Sequence, residues 1–150
     1  MKNVFDNADT NDMISRINNL TPESQAQWGT MNVGQMLAHC CVAYDMALTD
    51  KYPRPNIVFR TLAKLFAKSV VVGPKPYKQN SRTAPEFVIT DQREFDTEKE
   101  LLIGNINKVQ ELGAQYFDGK ESLSFGALTK DEWNTLFYKH LDHHLRQFGV

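Results

Sequence analysis

The sequence predicts an all-α fold on three observations. Apolar residues recur at helical spacing in five segments, capping residues stand at the segment starts, and proline and glycine gather between them. Asp9-Thr10-Asn11 is placed to cap a first helix whose apolar face is Met13, Ile14, Ile17 and Leu20, and Thr21-Pro22 ends it. After a linker containing Trp28-Gly29, Asn32 is placed to cap a second helix running to about Leu48. Pro53 and Pro55 mark a loop, and Asn56 to Val72 reads as a third helix, amphipathic and basic. Gly73-Pro74-Lys75-Pro76 opens an irregular stretch to about Phe95, with a short extended piece expected at Glu86 to Ile89. A loop of that length inside a compact domain is a candidate lid. Asp96 is placed to cap a fourth helix, with Leu101, Leu102, Ile106 and Val109 on its apolar side and Gly113 near its end. A second linker spans Tyr116 to Leu128. Thr129-Lys130-Asp131-Glu132 has the capping-box form, in which Thr129 accepts from the third following amide and Glu132 reaches back, so a fifth helix runs from there to about Phe148.

The 150 residues suit a single domain, 1–150, with the four longer helices as its bundle core. A formal net charge of -1 gives no global field toward nucleic acid or an anionic membrane, so neither is expected as a partner. Every longer apolar stretch is broken by a charge within a few residues, which argues against a membrane span. Cys40 and Cys41 are adjacent, and neighbouring cysteines rarely meet disulfide geometry, so a reducing compartment is expected. The opening residues, Met1 to Asp6, lack the apolar run of a signal peptide, and cytoplasmic location is the expectation.

The histidines carry the chemistry. His140 and His144 lie four apart in the last helix, roughly 40° round its axis and one turn along it, so both imidazoles can reach one ion. Trp133, Phe137 and Phe148 share their side, which directs the pair at the core. His143 falls on the other flank and reads as a supporting or surface residue, with Asp142 a further candidate to support the ligands. His39 shares its face of the second helix with Met36, Ala43 and Met46 and is also directed inward. Three inward imidazoles make a His₃ site, which leaves a coordination position open, the pattern of catalytic sites. Half-buried histidines near a helix C-terminus also interact with the helix dipole, which is the blander reading of the pair. Cys40 and Met36 read as core filler.

Lys51 to Arg82 holds eight basic residues and no acidic one. Arg60, Lys64 and Lys68 form a stripe opposite Phe59, Leu62 and Phe66, expected as a solvated face or an anion funnel over the site. No aromatic interleaving supports nucleic-acid binding.

Two longer motifs extend this reading. The run from Trp28-Gly29 through Gln35-Met36-Leu37-Ala38-His39-Cys40, and the run from Phe125-Gly126 through Trp133 to His140-Leu141-Asp142-His143-His144-Leu145-Arg146-Gln147-Phe148-Gly149, are similar to the DinB/YfiT-like superfamily of metalloenzymes. Within it the chain resembles a branch known only as a domain of unknown function. The resemblance implies a DinB-like four-helix bundle, with a short additional N-terminal or connecting helix and a long central loop. It implies that nickel or zinc binds to one histidine on the second helix and a His-x-x-x-His pair on the last, matching His39, His140 and His144. It further implies a thiol-dependent transferase, or a hydrolase, acting on a small molecule, with a low-molecular-weight thiol such as mycothiol or bacillithiol as a second cofactor. A homodimer is compatible with it. Asn56 to Phe95 matches no substrate site of that superfamily. The alternative is a non-catalytic metal-binding or stress-related interaction protein.

Overall fold

Side-chain caps start four of the helices in the computed structural model, which describes residues 1–150: Asp6, Asn32, Asn56 and Thr129 each accept a hydrogen bond from a backbone amide of the first turn. The elements run α1 (Asn7–Asn18), α2 (Val33–Leu48), α3 (Ile57–Phe66), α4 (Lys68–Val72), α5 (Phe95–Phe117), β1 (Glu121–Ser122), β2 (Gly126–Ala127) and α6 (Lys130–Gln147), with one turn of 3₁₀ helix at Pro85–Phe87. The fold is mostly helical, as expected.

Several local expectations shift. Asp6, not Asp9, caps α1; Asp9 lies in the first turn and pairs with Lys2 at 3.3 Å. The cap position of α5 is Glu94, without a side-chain bond, and Asp96 falls in the first turn, where its charge still meets the positive end of the helix dipole. The expected third helix breaks at Ala67 into α3 and α4. The piece expected to be extended at Glu86 to Ile89 includes the end of the 3₁₀ turn. Gly113, at φ 74°, interrupts α5 before its last turn, a conformation that L side chains rarely adopt. The second linker carries an unforeseen hairpin, β1 against β2, closed where Phe125 N–H donates to Ser122 Oγ.

The capping boxes of α2 and α6 both form. Both elements matter most, because they carry the histidines. Helix α2 is buried nearly all round, with every residue from Met36 to Tyr44 enclosed, as suits a helix with neighbours on each side. One apolar core joins α1, α2, α5 and α6, through residues such as Met13, Leu37, Ile106 and Leu141. Its centre is aromatic. Tyr44 stacks on Phe137 at 4.9 Å, Phe137 stacks on Trp133 at 5.4 Å, and Phe117 meets Phe137 edge-on at 5.6 Å. This stack locks α2 to α6 within one turn of His140, so the relative placement of the histidines is inherited from it.

Phe137→Ala should therefore cost about 3–5 kcal/mol in chemical denaturation, since a large buried ring is lost and a cavity remains. A loss below about 1 kcal/mol would show that the stack does not hold the two helices together.

Candidate metal centre

Three imidazoles converge where α2 passes α6. His39 and His144 are buried and His140 is half-buried; one nitrogen from each lies within 4.8 Å of the other two. The Nε2 atoms of His39 and His140 are 3.0 Å apart. Ring centroids are 4.4 Å apart for His39 and His144 and 4.9 Å for His140 and His144. Three nitrogens bound tetrahedrally at about 2.0–2.1 Å would stand roughly 3.3 Å from one another, within the spread seen here. These are the three histidines that helical spacing singles out.

Their outer nitrogens decide what the inner ones can do. His39 Nδ1 lies 2.7 Å from the carbonyl oxygen of Phe87, which can only accept, so Nδ1 carries the proton and Nε2 a lone pair. His144 is fixed by a longer relay. The Trp28 carbonyl accepts from Gln147 Nε2 at 2.6 Å, so the amide nitrogen of Gln147 faces Trp28 and its oxygen faces His144. His144 Nδ1–H therefore donates to Gln147 Oε1 at 2.8 Å, and His144 Nε2 also presents a lone pair. Outer hydrogen bonds of this kind accompany most metal-ligating histidines.

The relay explains the Trp28-Gly29 turn. Gly29 has φ 82°, and a Cβ there would lie 2.6 Å from Gln147 Nε2. Gln27 N–H also donates to the Gln147 carbonyl at 2.8 Å, so the linker is fastened to the end of α6.

Burial keeps the site neutral. Desolvation is the largest cause in all three histidines: it lowers His39 below the usual imidazole range, His140 well below it, and His144 to about 3. The neighbouring imidazoles push His140 and His144 further down. Neutral imidazole is the form that binds a metal.

Phe87 covers the cluster from the central loop, its ring centroid 5.3 Å from that of His39 and 5.5 Å from that of His140. The loop is tied on its other side by Lys139, whose ammonium donates to the carbonyls of Val70, Gly73 and Lys75 and lies 4.6 Å over the Tyr77 ring. Sequence reading misses Phe87, Gln147 and Lys139. Gln147 had a signal, since it follows His144 by three positions on the same helix; Phe87 acts through a backbone carbonyl, which leaves none.

The remaining candidates fall outside the cluster. His143 is half-buried, with its ring 5.8 Å from Trp28 and 5.6 Å from Tyr77. Asp142 is not brought to the site: it pairs with Arg16 at 2.8 Å, tying α6 to α1. Cys40 and Cys41 are both buried, and burial pushes their thiols up, Cys40 well above the usual range and Cys41 to about 12, so neither offers a thiolate. Nor does the basic stripe form an open funnel. Arg60 reaches Glu121 at 3.4 Å and Lys68 reaches Glu132 at 2.8 Å, while Phe59, Leu62 and Phe66, opposite the stripe, are exposed.

The family described as a protein of unknown function, DUF1569, matches residues 2–149. The chain belongs to the DUF1569 family. Neither the curated proteins nor the solved structures hold a significant match. The DUF1569 match spans both the α2 and the α6 contributions to the cluster.

Replacing Gln147 with Ala frees His144 Nδ1 and should weaken zinc or nickel binding about 10- to 100-fold in competition titrations. His143→Ala should leave metal stoichiometry unchanged. Equal affinity in Gln147→Ala and the parent would show that the relay does not support the ligand, and loss of the ion in His143→Ala would place His143 among the ligands.

Proposed function

We propose that this DUF1569 chain binds one divalent ion, nickel or zinc, through Nε2 of His39, His140 and His144, and uses it as an enzyme acting on a small molecule. The carrying observation is the convergence of three neutral imidazoles, two of them with their tautomers fixed by acceptors outside the cluster. Three nitrogen donors suit zinc or nickel and leave a coordination position free. When bound, such an ion supplies Lewis acidity, which makes a water or a thiol nucleophilic near neutral pH. The chain's own part is to hold the three rings neutral, to aim their lone pairs, and to keep bulk water off them with the Phe87 ring.

The choice of a thiol-dependent transferase or hydrolase and of a low-molecular-weight thiol as second cofactor rests on the resemblance to the DinB/YfiT-like superfamily, and a cytoplasmic setting on the free cysteines Cys40 and Cys41, which suit a reducing compartment. On this reading α1, α2, α5 and α6 are the four-helix bundle of that superfamily, with α3 and α4 as connecting helices. No helix is long and apolar enough to cross a membrane. One observation favours a second reading, a non-catalytic metal-binding or stress-related interaction protein: Phe87 stands against two of the three rings, where a substrate would have to approach.

Metal analysis of protein purified without an affinity tag tests the first claim. One nickel or zinc per chain is expected, falling to none in a His140→Ala/His144→Ala double variant. Full retention in that variant would sink the assignment. A screen for thiol transfer and hydrolysis with the loaded parent then separates enzyme from binding protein.

A further inference from the structure

Helix α3 turns its apolar face to solvent. Ile57, Val58, Leu65 and Phe66 are 66–74% exposed, Phe59 and Leu62 45% and 50%, and no residue of the helix is buried. These six side chains expose roughly 700 Å², more than the few hundred Å² that monomers usually leave open and close to the ~800 Å² that each partner contributes to a standard interface.

The pattern on the helix is self-complementary. Positions 57, 58, 61, 62, 65 and 66 are symmetric about the midpoint between Thr61 and Leu62. A two-fold axis crossing there sets a second α3 antiparallel to the first, with Ile57 against Phe66, Val58 against Leu65 and Thr61 against Leu62 of the second copy. Isologous contacts of this kind are the commonest route to a closed oligomer.

Charge separates the candidate occupants. A lipid surface would need free cations at the edges of the apolar face. Yet four of the eight basic residues between Lys51 and Arg82 are ion-paired within the chain: Lys51 with Asp45, Arg54 and Arg60 with Glu121, and Lys68 with Glu132. On α3 itself only Lys64 makes no ion pair. We propose that α3 is the interface of a homodimer, formed with a second copy of this chain across an axis near Thr61 and Leu62. The contact is independent of whether the histidines hold a metal.

Sedimentation velocity over a concentration series tests it. The parent should sediment as a dimer and dissociate on dilution, and Leu62→Glu/Leu65→Glu should be a monomer with unchanged far-UV circular dichroism. Both side chains are already half or more exposed in the single chain, so the substitutions remove no core packing. Should that variant misfold, Val58→Lys gives the same test at the edge of the contact. Thr61→Cys, beside the axis, should form an intermolecular disulfide under mild oxidation, while buried Cys40 and Cys41 do not. A parent that stays monomeric at every concentration, or a dimer that survives Leu62→Glu/Leu65→Glu, would overturn the proposal. Monomeric parent that co-sediments with phosphatidylserine vesicles would assign the face to lipid instead.

Discussion

A neutral imidazole has one lone pair to offer, and the group held by its other nitrogen decides which atom carries it. At His39 that group is the carbonyl of Phe87, and at His144 it is the side chain of Gln147, itself oriented by the carbonyl of Trp28. Much of the surrounding architecture follows from these two bonds. The central loop must bring Phe87 over α2, and the Trp28-Gly29 turn must pass close enough to α6 that a side chain at position 29 would collide with Gln147. Segments that look like connections in the sequence are thus the outer wall of the cluster.

The inner wall is apolar. The Tyr44–Phe137–Trp133 stack sets how α2 and α6 face each other, and the histidines are carried on the same two helices next to it. Burial between the same two helices desolvates the imidazoles, and that desolvation dominates their lowered proton affinity. Packing and site chemistry are therefore one arrangement. Lys139 extends it outward, since a cation adjacent in sequence to His140 gathers three carbonyls at the start of the central loop.

What could be read in the sequence was local. Helical periodicity places His39, His140 and His144 on inward faces because each wheel needs only a few neighbouring residues, and Asn32 and Thr129 cap α2 and α6 because a capping box is complete within four positions. What could not be read depended on contacts between distant segments. Periodicity shows that α3 has an apolar face but not what lies against it; the structure turns that face outward and draws Arg60 and Lys68 toward Glu121 and Glu132. Asp142 was equally ambiguous: its neighbours in sequence are histidines, yet it pairs with Arg16 of α1 and lies away from the cluster. The break at Ala67 has no proline or glycine to announce it.

The claim on which the functional reading stands is that imidazole nitrogens are the only ligands this chain gives the ion. X-ray absorption at the zinc or nickel edge of the loaded protein measures this directly. The account predicts scattering by three imidazoles at about 2.0–2.1 Å with light-atom donors completing the shell. Sulfur scattering near the ~2.3 Å of a thiolate ligand would bring Cys40 or Cys41 into the site and contradict it.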